Sequence, residues 1–100
     1  MIEQVCNAPT VPVVDVTNVQ RRQIARRFAS WARNHPHDAR KQNVLCTKTI
    51  VALTNEEIFV WWNLIARTAS ADLPKSIAEF DMHPYYVLET EVIRRGYRVH

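Results

Sequence analysis

Gly96 is the single glycine among 100 residues, where an average usage of roughly 7% would place several. Tight β-hairpins, phosphate-cradling loops and nucleophile elbows need backbone at positive φ, and glycine accepts it without steric cost. A chain with one such position is poorly equipped for a hairpin-rich β fold. It also lacks the repeated glycines of the P-loop and of the dinucleotide-binding fingerprint. The expected fold is all-α: a compact bundle of four to five short helices. The alternative is α+β, with a small sheet built from residues 44–53 and one terminus.

Length allows one domain and no second core. Folding at this size hides somewhat over 60% of the surface of the unfolded chain, which leaves little depth for an enclosed active-site cavity. Hydrophobic residues make up 47% and charged residues 23%, both ordinary for a globular chain. No apolar stretch approaches the length of a membrane span, and Met1 to Cys6 has neither the basic nor the apolar part of a signal peptide. Cys6 and Cys46 lie far apart, and neither belongs to a CxxC pair. These features lead us to expect a cytoplasmic protein with two free thiols and no metal, cofactor or membrane contact.

Residues 1–16 read as an extended arm and residues 17–100 as the helical domain. Pro9 and Pro12 each remove a backbone donor and turn the preceding residue away from helix. The β-branched run Val11 to Val16 suits a segment laid along the body or paired as an edge strand. Thr17-Asn18-Val19-Gln20 is a capping box, and the helix it opens should run to Asn34, ahead of His35-Pro36. Ile24, Ala25, Phe28, Trp31 and Ala32 form its apolar stripe. Pro36 can occupy the first turn of a second helix. Residues 44–53 are rich in Thr, Ile and Val, which also suits a strand, but helix is favoured because no glycine closes a hairpin there.

Thr54-Asn55-Glu56-Glu57 is a second capping box, with both carboxylates well placed against the helix dipole. The helix that follows, over 55–69, is apolar around most of its circumference and should be the buried centre of the bundle. Leu73-Pro74 and His83-Pro84 mark two breaks, with a short helix over 74–80 between them and a last helix from Pro84 to Arg95. Gly96 fits the left-handed position after that helix, in a Schellman ending whose apolar contact is Val92 with Tyr97.

The strongest functional signal is Arg21-Arg22-Gln23-Ile24-Ala25-Arg26-Arg27, continued by Arg33. At 3.6 residues per turn Arg22, Arg26 and Arg33 share one face, with Arg21 beside it and Arg27 near the boundary of the apolar stripe. Guanidinium forks suit bidentate contact with phosphate or carboxylate, and a purely basic face exceeds what solubility requires. Trp61 and Trp62 are neighbours in sequence and point about 100° apart on a helix. They should not face one core wall together, so one of them is expected to be an exposed anchor of the kind enriched at interfaces. Trp31 and Phe59 read as core aromatics.

No catalytic arrangement is legible. Glu56-Glu57 is explained by capping, and Glu91 by pairing with Arg95 one turn on. Ser30, Ser70 and Ser76 lack the strand–Gly–helix setting of an exposed nucleophile. His35-Pro36-His37 matches no zinc-ligand spacing. The segment from Ile77 to Tyr97 has the general look of a helix-turn-helix, but Asp81, Met82, His83 and a proline stand where its tight turn would be. The net charge of +3, with pI near 9.2, permits an acidic or nucleic-acid partner without requiring one.

The expectation is a small non-enzymatic binding protein. It would act as an adaptor or inhibitor on a larger protein or nucleoprotein machine, a profile common among modulators encoded by viruses and mobile elements. The competing expectation is a DNA- or RNA-binding regulator that uses the arginine face. The sequence fixes neither the partner nor the oligomeric state.

Overall fold

Two threonine caps start the two helices that organise the chain. A computed structural model describes residues 8–80 and 84–99. At the first helix, α1 (Asn18–Asn34), the Gln20 N–H donates to Thr17 Oγ1 at 3.1 Å, and the Thr17 N–H donates to Gln20 Oε1 at 2.9 Å. Helix α3 (Asn55–Ile65) begins the same way, with Thr54 and Glu57 bonding reciprocally at 2.9 and 3.2 Å. Both capping boxes therefore form as the sequence implies, each satisfying two backbone donors that a helix start leaves open.

Between them lies α2 (Ala39–Ala52), so residues 44–53 are helical up to Ala52 and contribute no strand. The α+β alternative is overturned: among the described residues the sole β pairing is an isolated parallel bridge between Thr10 and Arg98. Pro36 does not open α2. The chain turns at His37, whose φ of 60° is left-handed, and Asp38 becomes the cap, its carboxylate accepting from the Lys41 N–H at 3.0 Å. An Asp side chain supplies the acceptor that a proline cannot, and this sets the start at Ala39, three residues after Pro36. Gln42, buried in α2, secures the turn by donating to the His35 carbonyl at 2.8 Å.

Helix α3 stops at Ile65, short of residue 69, with Ala66 as its C-cap. Thr68 Oγ1 donates to the Asn63 carbonyl, the acceptor that the next helical N–H would use. A 3-10 turn at Ser70–Asp72 leads to the short α4 (Lys75–Ala78), which is narrower than the expected 74–80. The last helix, α5 (Pro84–Arg94), ends as the lone glycine requires. Gly96 sits at φ 95°, its N–H donates to the Ile93 carbonyl, and the Tyr97 N–H reaches the Val92 carbonyl, both at 3.0 Å. Those two bonds define a Schellman ending.

Helix α3 lies between α1 and α5. Helix α1 also packs on α2 and α4, and α2 also packs on α5. Phe28 of α1 is fully buried and meets Trp31, Trp61 and Phe80 at ring-centroid distances of 5.0, 5.7 and 4.9 Å. Ile58, Leu64, Ile50, Ile77, Leu88 and Val92 complete the interior.

The described part of the arm is packed against the body. Val11 is buried, and Asn63 Nδ2 donates to the Pro12 carbonyl at 2.9 Å. Arg67 Nη2 donates to the Val11 carbonyl at 2.8 Å, and the Arg98 N–H to the Pro9 carbonyl at 2.9 Å. Among the described residues no helix is long and apolar enough to cross a membrane.

Candidate functional site

Helix α1 contains five arginines and no acidic residue. Its apolar stripe of Ile24, Phe28 and Trp31 is turned into the core, and this fixes where the arginines go. Arg22, Arg26 and Arg33 are exposed on the opposite side. None has a hydrogen-bond or ion-pair partner among the described residues. From Arg22 to Arg33 the helix rises about 16 Å, so the three guanidinium groups line a row three turns long.

The other two arginines have separate settings. Arg21 is half-buried and donates to the Asp72 carbonyl, which ties α1 to the 3-10 turn. Arg27 lies on the flank nearest α3. There it walls a shallow cleft together with Gln23, Glu57 and Trp61. The Glu57 carboxyl is held below its usual range, first by the N–H and hydroxyl of Thr54 and, more weakly, by the charge of Arg27.

The expectation of one exposed tryptophan is overturned. Trp61 and Trp62 are 5% and 4% exposed. The reasoning that adjacent residues cannot share one wall holds, but α3 has a wall on each side. Trp61 turns toward Phe28 of α1, whereas Trp62 stacks against Tyr85 of α5 at 5.5 Å. Trp31 is also core, and Phe59 meets Tyr97 edge-on at 5.4 Å. The structure therefore gathers Arg22, Arg26 and Arg33 on one free face. It sets Arg27 and Trp61 together at the adjoining cleft, and it commits Arg21 and Trp62 to holding the fold.

The sequence marks Glu91 only as a helix-pairing partner of Arg95, and it is 3% exposed. Its carboxylate accepts from Arg94 Nε and Nη2 at 2.9 and 2.6 Å and from Arg95 Nε at 2.8 Å. The Arg94 bonds lead in holding the carboxyl down at about 2, against the cost of its burial. Arg95 continues to the Val51 and Leu53 carbonyls and to Asn55 Oδ1, so it caps the end of α2 and touches the start of α3. This network is a structural clamp.

Cys46 is a free thiol with no exposure, and burial pushes it up to about 12. Among the described residues no group of His, Cys, Asp and Glu is arranged to hold a metal ion. Cys6 and the 81–83 turn of the helix-turn-helix comparison lie outside the described residues. Fold and site together define a small all-α bundle with one unpaired arginine face. No protein-family model, no curated protein and no solved structure matches the chain.

Proposed function

We propose that this chain is a non-enzymatic binding protein, an adaptor or inhibitor that docks its α1 face on an acidic surface of a larger protein or nucleoprotein machine. The observation that carries this reading is the row of Arg22, Arg26 and Arg33, exposed and unpaired on a helix with no acid. Arginine keeps its charge at any physiological pH and offers a planar fork that matches carboxylate or phosphate. Long-range attraction between several such forks and a complementary charge gives orientation and a fast on-rate. The flanking cleft, where Arg27 and Glu57 stand beside Trp61, adds a polar edge next to an aromatic one.

Direct binding to DNA or RNA through the same row is the competing reading, and the two differ in how affinity responds to salt and sequence. Gel-shift titrations of the purified chain against duplex DNA and RNA, over a range of salt concentrations, separate them. For the docking protein, affinity for bare nucleic acid at physiological salt stays within about 10⁻⁴–10⁻⁶ M, the range of non-specific contact. Submicromolar, sequence-dependent binding to a bare duplex, abolished by Arg22→Glu with Arg26→Glu, would establish the nucleic-acid regulator instead.

A further inference from the structure

The exposed arginines of α1 belong to a longer pattern. Val19, Arg22, Arg26, Ala29 and Arg33 follow one another at intervals of 3, 4, 3 and 4 residues, the spacing that keeps side chains on one seam of a helix. Val19 is 56% exposed, the three arginines are exposed and Ala29 is half-buried. The seam runs along most of α1, about 21 Å at 1.5 Å per residue. It has an apolar residue at its start and a small one between Arg26 and Arg33. Because Ile24, Phe28 and Trp31 are turned into the core, the seam is the side of α1 that faces away from the bundle.

The basic strip is narrow. On one flank Arg21 donates to the Asp72 carbonyl, and on the other Arg27 stands by Glu57 at the cleft. Asp72 and Glu57 are both exposed, so an acid lies to each side of the row. A helix seated in the major groove of a duplex, about 12 Å wide, has a phosphate strand along each side. Here those strands would meet Glu57 and Asp72. A partner α-helix is itself about 10–12 Å across. It also repeats its side chains at the same intervals of three and four residues, so carboxylates on one of its faces come level with Arg22, Arg26 and Arg33 together.

We propose that the α1 seam takes an acidic α-helix of a partner protein, with carboxylates opposite Arg22, Arg26 and Arg33 and apolar side chains opposite Val19 and Ala29. This occupant rests on the reading of α1 as a docking face, and it narrows the acidic surface to one secondary structure and one spacing. Guanidinium–carboxylate forks set the register. Ala29 leaves a hole between Arg26 and Arg33 that a larger apolar side chain of the partner can fill. A second copy of this chain is a poor occupant. A symmetric contact would set the arginine row against its own copy, and like charge across an interface is repulsive.

The test uses the full chain and labelled peptides of about 21 residues, long enough for partial helix in water. A register peptide carries Glu at i, i+4 and i+11 with Leu at i−3 and i+7, and a second carries the same order reversed, for the opposite chain direction. One control has the same composition with Glu spread around the helix. Another has proline at two positions off the seam, which breaks the helix. Fluorescence anisotropy at physiological salt is expected to give at least tenfold tighter binding of one register peptide than of either control. Arg22→Glu with Arg26→Glu should remove that binding and leave the thermal midpoint unchanged, because both side chains are exposed. Lys in place of the two facing Glu residues of the peptide should restore binding to the charge-reversed chain.

Equal binding of register and control peptides would overturn the acidic helix, even where charge reversal removes all of it, and so would no binding of any peptide. A bare duplex that displaces the register peptide at submicromolar concentration would assign the seam to nucleic acid. Sedimentation as a dimer that Val19→Asp dissociates would assign it to a second copy. The docking reading itself fails separately, through a captured partner that charge reversal does not release.

Discussion

Glu91 demonstrates how one residue can join three helices. Its carboxylate is almost fully buried and holds two guanidinium groups, one of which, on Arg95, goes on to the end of α2 and the start of α3. Removing the carboxylate takes the counter-charge from the nearly buried Arg95 guanidinium, which keeps only its neutral carbonyl and amide acceptors. Glu91→Gln should therefore lower stability by about 1–3 kcal/mol at neutral pH in chemical denaturation. The pH dependence follows from a carboxyl held at about 2, below the ordinary glutamate value of 4.5. The charged form is favoured by folding, so its contribution is complete above pH 4.5 and is lost as pH falls toward 2. The wild-type unfolding midpoint should drop across that window, and the Gln variant should drop less steeply there. Equal slopes for the two proteins would remove the clamp from the stability of the fold. Nothing in the sequence distinguished this Glu from an exposed one, because an i,i+4 partner reads the same on either face of a helix.

At the scale of elements, the starts and stops with a local cause were legible. Thr17, Thr54 and Gly96 act through bonds to residues within five positions, and such signals survive without tertiary context. Helix α2 was less plain because its Thr, Ile and Val content suits two states, and burial of Cys46 and Ile50 at helical spacing decides for helix. The tryptophan pair was misread for a related reason. The composition of α3 marked it as central, but its two walls come from α1 and α5, which are distant in sequence. That central place sets a magnitude. Leu64→Ala and Ile65→Ala, at 0% and 3% exposure, should each cost roughly 2–5 kcal/mol. Losses below about 1 kcal/mol for both in urea titration would mean that α3 is not the keystone.

The whole molecule divides its polar groups between two tasks. Arg21, Arg67, Arg95, Asn63, Gln42 and Glu91 are used inside, each bonded to a backbone carbonyl or to a charged partner. Arg22, Arg26 and Arg33 are left outside, on the longest helix, which has no acid. The arginine row was legible because helical periodicity alone places it. Docking through the arginine row is most directly tested by capturing partners from lysate of the cells that make the protein, with wild-type chain and with Arg22→Glu/Arg26→Glu side by side and nuclease added to both. The expected result is a protein partner held by the wild type after nuclease treatment and lost on charge reversal, with the variant's thermal midpoint unchanged. A partner retained by the charge-reversed chain, or released by nuclease alone, would contradict it.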